Sequence, residues 1–208
     1  MTRDSAKTRK TLIAAADGLF YNQGIRAIGV DTIAAAAGVT KRTLYYHFKS
    51  KDELIAAYLE GRDLPTLGRY QALIPDPGEA GARQIQRVFE HLGKSSRDPQ
   101  WRGCSFLRAA SEFANLPGHP TRRIAARHKK RFENWFEEIL ASDGIAGASH
   151  LARQLMMLFD GAVAQILIHR DPSYALSAAD AAAALLNGAR KSASRRGRKS
   201  PRKSKINS

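Results

Sequence analysis

Apolar residues recur along this chain at helical spacing, and no segment shows the strict alternation expected of a strand. Leu12, Ala16, Leu19 and Phe20 share one helical face, and Gly24 follows as a stop. Residues 31–37 form an Ala-rich segment that predicts a short helix ended by Gly38, and residues 41–48 predict a second. Ser50 and Glu53 stand at capping-box spacing and open a fourth helix with Leu54, Ile55 and Tyr58 facing inward. Pro65 is expected to interrupt or bend it. After a Pro/Gly-rich loop at 75–81, helices are predicted near 79–92, 103–115, 121–141, 149–169 and 177–189. Pro99, Pro117, Pro120, Gly144, Gly147 and Pro172 mark the breaks between them. The expectation is an all-α chain of about nine helices. It divides into an N-terminal domain over residues 1–50, a helical domain over 51–189 and a disordered basic tail over 190–208.

The chain has 208 residues, of which 43% are hydrophobic, enough for a packed core. Its one cysteine, Cys104, excludes an intrachain disulfide and points to a reducing, cytoplasmic setting. The first ten residues are polar and basic, with no secretory apolar run after them. The apolar stretch 155–168 is shorter than a bilayer span and contains Asp160 and Gln165, so it reads as a buried helix and no membrane partner is expected. Of the net charge of +15, nine charges lie in residues 190–208, where no Asp or Glu offsets them. Such a segment buries too little apolar surface to fold alone. It serves as a solubilising tail or a polyanion-binding arm, and the motif upstream favours the second.

That motif is the segment 31–48, two short helices joined by Gly38, Val39 and Thr40. Gly38 can adopt the positive φ of a tight turn, and the Thr40 hydroxyl can cap the second helix. Ile33, Ala34, Ala37, Val39, Leu44 and Phe48 are spaced to pack inward. Thr40, Lys41, Arg42, Thr43, Tyr45, Tyr46 and His47 are left for the other face. A helix presenting such donors is a recognition helix for the major groove. Lys51, at the positive end of the fourth helix, is expected to contact phosphate.

The run from Gly38 to Leu54, with its Gly-Val, Leu-Tyr, His-Phe and Ser-Lys-Asp-Glu-Leu elements, resembles the signature of the TetR family of bacterial regulators. The resemblance covers roughly residues 6–60 and implies a three-helix DNA-binding domain followed by a helical ligand-binding and dimerisation domain. Two positions depart from the pattern. Gly29 stands where many members carry Thr or Ser, and Arg42 where many carry a small residue or proline. Arg42 therefore predicts a DNA contact particular to this chain. The resemblance also implies a homodimer through the last two helices, for which Leu155, Ala162, Ile166, Leu176, Ala179, Ala183 and Leu186 are the candidate seam. The partners so implied are a palindromic operator in double-stranded DNA and a small-molecule effector.

Trp101, Phe106, Phe113, Trp135, Met156 and Phe159 supply more bulky apolar surface than the Ala-rich seam needs, so a subset is expected to line an effector cavity. Glu112, Asp160 and Gln165 are the candidate polar anchors. Cys104, flanked by apolar residues, reads as a small core residue. His119 and His128 are nine apart, which is no helical ligand spacing, and neither a metal nor a cofactor is expected. No phosphate loop, His-Glu-x-x-His or Gly-x-Ser-x-Gly motif occurs, which argues against an enzyme. The reading is a ligand-responsive repressor. The alternative is a general nucleoid-type DNA-binding protein driven by the basic tail.

Overall fold

The computed structural model describes residues 3–74 and 78–197, the side chains of residues 3 and 191–197 excepted. It consists of nine helices, with no strand among the described residues: α1 (Arg3–Gln23), α2 (Val30–Ala36), α3 (Lys41–His47), α4 (Lys51–Gln71), α5 (Gly81–Ser95), α6 (Ser105–Glu112), α7 (Pro120–Ser142), α8 (Ala148–His169) and α9 (Ser173–Gly197).

Local chemistry sets the starts of the functional helices. Thr40 accepts from the Thr43 amide and opens α3. Ser50 Oγ accepts from the Glu53 amide at 3.1 Å, and Glu53 reaches back to the Lys49 amide at 2.7 Å. Two amides at the start of α4 are thus satisfied without tertiary help. Gly29 precedes α2 with no side-chain cap. At α7, His119 accepts from the Thr121 amide while Pro120 takes the first turn, where its missing N–H is harmless.

Pro65 does not end α4, which continues six residues beyond it. The lost amide costs one intrahelical bond, and burial of Asp63 and Leu67 on the inner face holds the helix together across it.

Two cores form. The first joins α1–α3 and the first half of α4 to Phe106, Ala109 and Phe113 of the α6 region and Ile124 and Ala125 of α7. The second joins α5, α7, α8 and α9 to Leu67 of α4. A boundary drawn at residue 50 therefore cuts the first core, whose Leu54, Ile55, Tyr58 and Leu59 lie beyond it. Helix α8, apolar over most of its 22 residues, packs between α7 and α9.

The reading of 190–208 as disordered is corrected over its first eight residues, since α9 runs to Gly197. Its Ala, Arg and Lys are good helix formers, and extending a formed helix needs no new nucleus. Arg190 is engaged with Asp143 at 2.5 Å. Residues 198–208 lie outside those described.

Candidate functional site

The α2–α3 pair has one buried and one open face. Ile33, Leu44 and Phe48 are fully enclosed. Gly38, at φ +67°, makes the turn between the helices, a conformation that a β-carbon would strain. On the other face Lys41, Arg42, Tyr45 and Tyr46 are exposed, and Tyr46 is 79% accessible. An aromatic ring held that far out of the core is available to a partner.

These side chains differ in how committed they are. Lys41 pairs with Asp31 at 3.0 Å, which raises its pKa. The Thr40 and Thr43 hydroxyls bond each other at 2.9 Å within the cap. Arg42 has no ion pair or side-chain hydrogen bond among the described residues. His47 packs edge-on to Tyr46, and its Nδ1 is enclosed with no protein partner. Lys51 is half-buried, and its ammonium donates to the Ile25 carbonyl at 2.7 Å. Burial lowers its pKa. It closes the loop after α1 from within, because that carbonyl otherwise lacks a donor.

The recognition pair is fastened to the rest of the chain by residues far away in sequence. Glu112, at the end of α6, accepts from the amides of Ile25 and Arg26 at 2.8 and 2.9 Å. Gly24, at φ +89°, brings that loop close enough. Glu112 is thus a fastener between α6 and the α1–α2 loop, away from the cavity described below.

Two histidines of the α7 region repeat one arrangement. His119 stacks on Phe113 at 3.8 Å and lies 3.2 Å from Asp52. His128 stacks on Phe106 at 3.6 Å and hydrogen-bonds Asp63 at 2.8 Å. Both aspartates belong to α4. Asp63 also takes Arg131 and Arg127. Burial outweighs these contacts and pushes the His128 pKa down to about 4, so its ring is neutral near pH 7.

A cavity of about 450 Å³ opens beside His128. That lies within the roughly 300–1,000 Å³ usual for small-molecule sites. Phe106, Phe132, Met156 and Phe159 form its apolar wall, with Tyr70 and Trp101 beside them. Its polar wall was not foreseen from sequence: Arg62, Arg69, His91, Cys104, His128 and Lys129. Arg62 is held bidentately by Asp17 and also reaches Ser105. Lys129 pairs with Asp160 at 2.5 Å and lies 3.4 Å from Cys104 Sγ. Cys104 is thus half-buried, packed against both cores and lining the cavity as well.

Four of the nine expected ligand residues, Trp101, Phe106, Met156 and Phe159, line this cavity. The other five do not. Phe113 and Trp135 are spent in the two cores. Asp160 neutralises Lys129 from behind, Glu112 fastens the α1–α2 loop, and Gln165 is exposed on α8. The missed residues carried one signal, helical spacing: Arg62, Thr66, Arg69 and Tyr70 recur on one side of α4. Among the described residues, no group of His, Cys, Asp and Glu side chains is placed to hold a metal.

The expected seam residues separate likewise. Leu155, Ala162, Ile166 and Leu186 are buried in their own subunit. Ala179, Ala183 and Leu186 line a groove against α5, and Leu176 is exposed. The open apolar surface of α8 and α9 lies on the adjacent face, where Met157, Leu158, Gly161, Ala181 and Leu185 line a groove, with Ala184 and Gly188 continuing it.

Residues 12–58 match the family described as bacterial regulatory proteins, tetR family. The fold superposes on a TetR-family transcriptional regulator from Streptomyces coelicolor with TM-score 0.78 and 33% identity, covering 88% of this chain and 96% of that one. The transcriptional repressor KstR2 of Mycolicibacterium smegmatis is 24% identical over 144 residues, 69% of this chain and 68% of that protein. The transcriptional regulator TtgR of Pseudomonas putida is 39% identical over 57 residues, a match that spans 27% of each chain.

Proposed function

The chain belongs to the TetR family of bacterial regulatory proteins, and from that premise we propose that it is a ligand-responsive repressor. It acts as a homodimer on a palindromic operator and is released by a small molecule. The observation that carries this reading is the span of α4. One 21-residue helix, ~30 Å long by its rise, starts at the cap beside α3 and supplies Thr66, Arg69 and Tyr70 to the cavity wall. A ligand that shifts the cavity end shifts the seat of the recognition helix.

In the bound arrangement two α3 helices enter successive major grooves ~34 Å apart. Arg42, the cation of α3 without an acid partner, reads a base edge, while Tyr45, Tyr46 and His47 meet phosphates. The dimer forms through the open α8–α9 face, where Gly161, Ala181 and Gly188 allow close helix approach across a two-fold axis. A ligand in the cavity presses on Arg69 and Tyr70, and α4 follows. Effector and DNA then weaken each other by the same factor, as linkage requires. The cationic residues of 198–208 add affinity without sequence preference.

Footprinting on the chain's own promoter tests the reading. Arg42→Ala is expected to weaken operator binding by about 1–3 kcal/mol and to relax preference at one position per half-site. Equal loss on random duplexes reduces Arg42 to a phosphate contact. Ala181→Glu, which puts a charge into the open seam, is expected to give monomers by light scattering and to abolish operator binding. Ala183→Glu, on the α5 side, is expected to leave the dimer intact. The reverse pattern moves the interface.

A further inference from the structure

Within the effector-binding reading, the charges around the cavity discriminate among ligand classes. Six titratable groups other than tyrosine and cysteine line it: Arg62, Arg69, His91, Asp98, His128 and Lys129. Three are internally balanced, Arg62 by Asp17, Lys129 by Asp160, and neutral His128 by its bond to Asp63. Asp98 is the one carboxylate in the lining, and it is exposed at the rim, where its Oδ1 accepts the Gln100 amide at 2.8 Å.

That leaves Arg69 and His91. Arg69 sits on α4, and its guanidinium meets only the Thr66 hydroxyl, at 3.3 Å, among the described residues. His91 sits on α5, its ring edge-on to Tyr70 at 5.2 Å. Burial, then Arg69 and Lys94, hold the His91 pKa below its ordinary range. The mouth between α4 and α5 therefore offers one guanidinium with open donors, Arg69, beside the His91 imidazole, and the far wall is aromatic and aliphatic.

We propose that the effector is an amphipathic anion, a carboxylate on an aromatic or aliphatic body, with its charge at Arg69 and His91 and its body against Tyr70, Phe132, Met156 and Phe159. A guanidinium with open donors suits a carboxylate, which it can hold through two parallel N–H bonds. An ammonium ligand meets the open Arg69 guanidinium, and the one acid in the lining, Asp98, is exposed to water and already accepts the Gln100 amide. A neutral ligand gains the apolar contacts alone. Arg69 is partly in water, so its contribution is that of a screened, charge-assisted contact, about tenfold in affinity.

The probes are 2-naphthoate and octanoate, each with its primary amide and the corresponding primary ammonium compound, tested on the full chain by calorimetry and thermal shift. The carboxylates are expected to bind about tenfold tighter than their amides, with the ammonium compounds weakest. Arg69→Gln is expected to bring acid and amide level, and Arg69→Lys to restore part of the difference, since it keeps the charge but loses the fork. A circular dichroism melt of each variant separates a lost contact from a lost fold. An amide that matches its acid, an ammonium compound that binds best, or a set in which neither carboxylate binds overturns the proposal. A carboxylate that binds with the expected Arg69 dependence but leaves operator binding unchanged supports the anion site and overturns the ligand-released repressor.

Discussion

Helix α4 meets two histidines of the α7 region, each stacked on an aromatic ring of the α6 region, and the two meetings differ in their exposure to water. At the recognition end Asp52 is 57% exposed and lies 3.2 Å from His119. Three turns later Asp63 is 3% exposed and is shared among His128, Arg127 and Arg131. The first pair is screened on one side and can part cheaply. The second cannot part without leaving charge in a site that water does not reach. The lesson is one of division: the cavity end of α4 is locked to α7, and the recognition end is held mainly by apolar packing and by Glu112. On the proposed reading, a displacement imposed at the locked end travels along the helix, and the looser end has room to yield.

The sharpest way to break this comparison is Asp63→Ala. Removing the shared carboxylate strands two arginines and a buried imidazole, and the expected loss is about 3–5 kcal/mol of unfolding free energy in urea. A loss under about 1 kcal/mol would make the two ends equivalent.

Next in size is the pH response. His128 has a folded pKa of about 4 against an ordinary 6.5, so between these values the unfolded chain binds a proton that the folded chain refuses. Stability from this group is complete above about pH 6.5 and is lost as pH falls toward 4, by roughly 3 kcal/mol in all. His128→Gln, which can still donate to Asp63, is expected to flatten that part of the curve. Urea titrations of both proteins from pH 7 to pH 4.5 measure it, and parallel curves would mean that His128 is not the titrating group.

The smallest effect is expected from Asp52→Ala, under about 1 kcal/mol in the same titration, because the exposed partner leaves water to solvate what remains. A loss as large as that of Asp63→Ala would show that the recognition end is locked as well.

The two regions also differ in how legible they were. The sequence by itself determined the helix count, the capping box of α4, the turn at Gly38 and the division of α3 into buried Leu44 and exposed Arg42, Tyr45 and Tyr46. Each of these depends on neighbours within about four residues, and helical periodicity records such neighbours directly. It did not show that the Lys51 ammonium donates to a carbonyl 26 residues away. Glu112 was read as a ligand anchor although its partners are 86 and 87 residues distant. The α9 stripe at 176, 179, 183 and 186 was correctly seen as apolar; within the subunit Ala179, Ala183 and Leu186 line a groove against α5, and Leu176 is exposed. Periodicity shows that a face is buried but not whether α5 or a second subunit buries it. Only the tertiary structure decided which cations are neutralised. Arg62, Arg69 and Lys129 look alike in sequence, yet Asp17 and Asp160 quench two of them and leave Arg69 facing the cavity. Charge acts through space over a few ångströms, and chain separation carries no record of which charges folding brings that close.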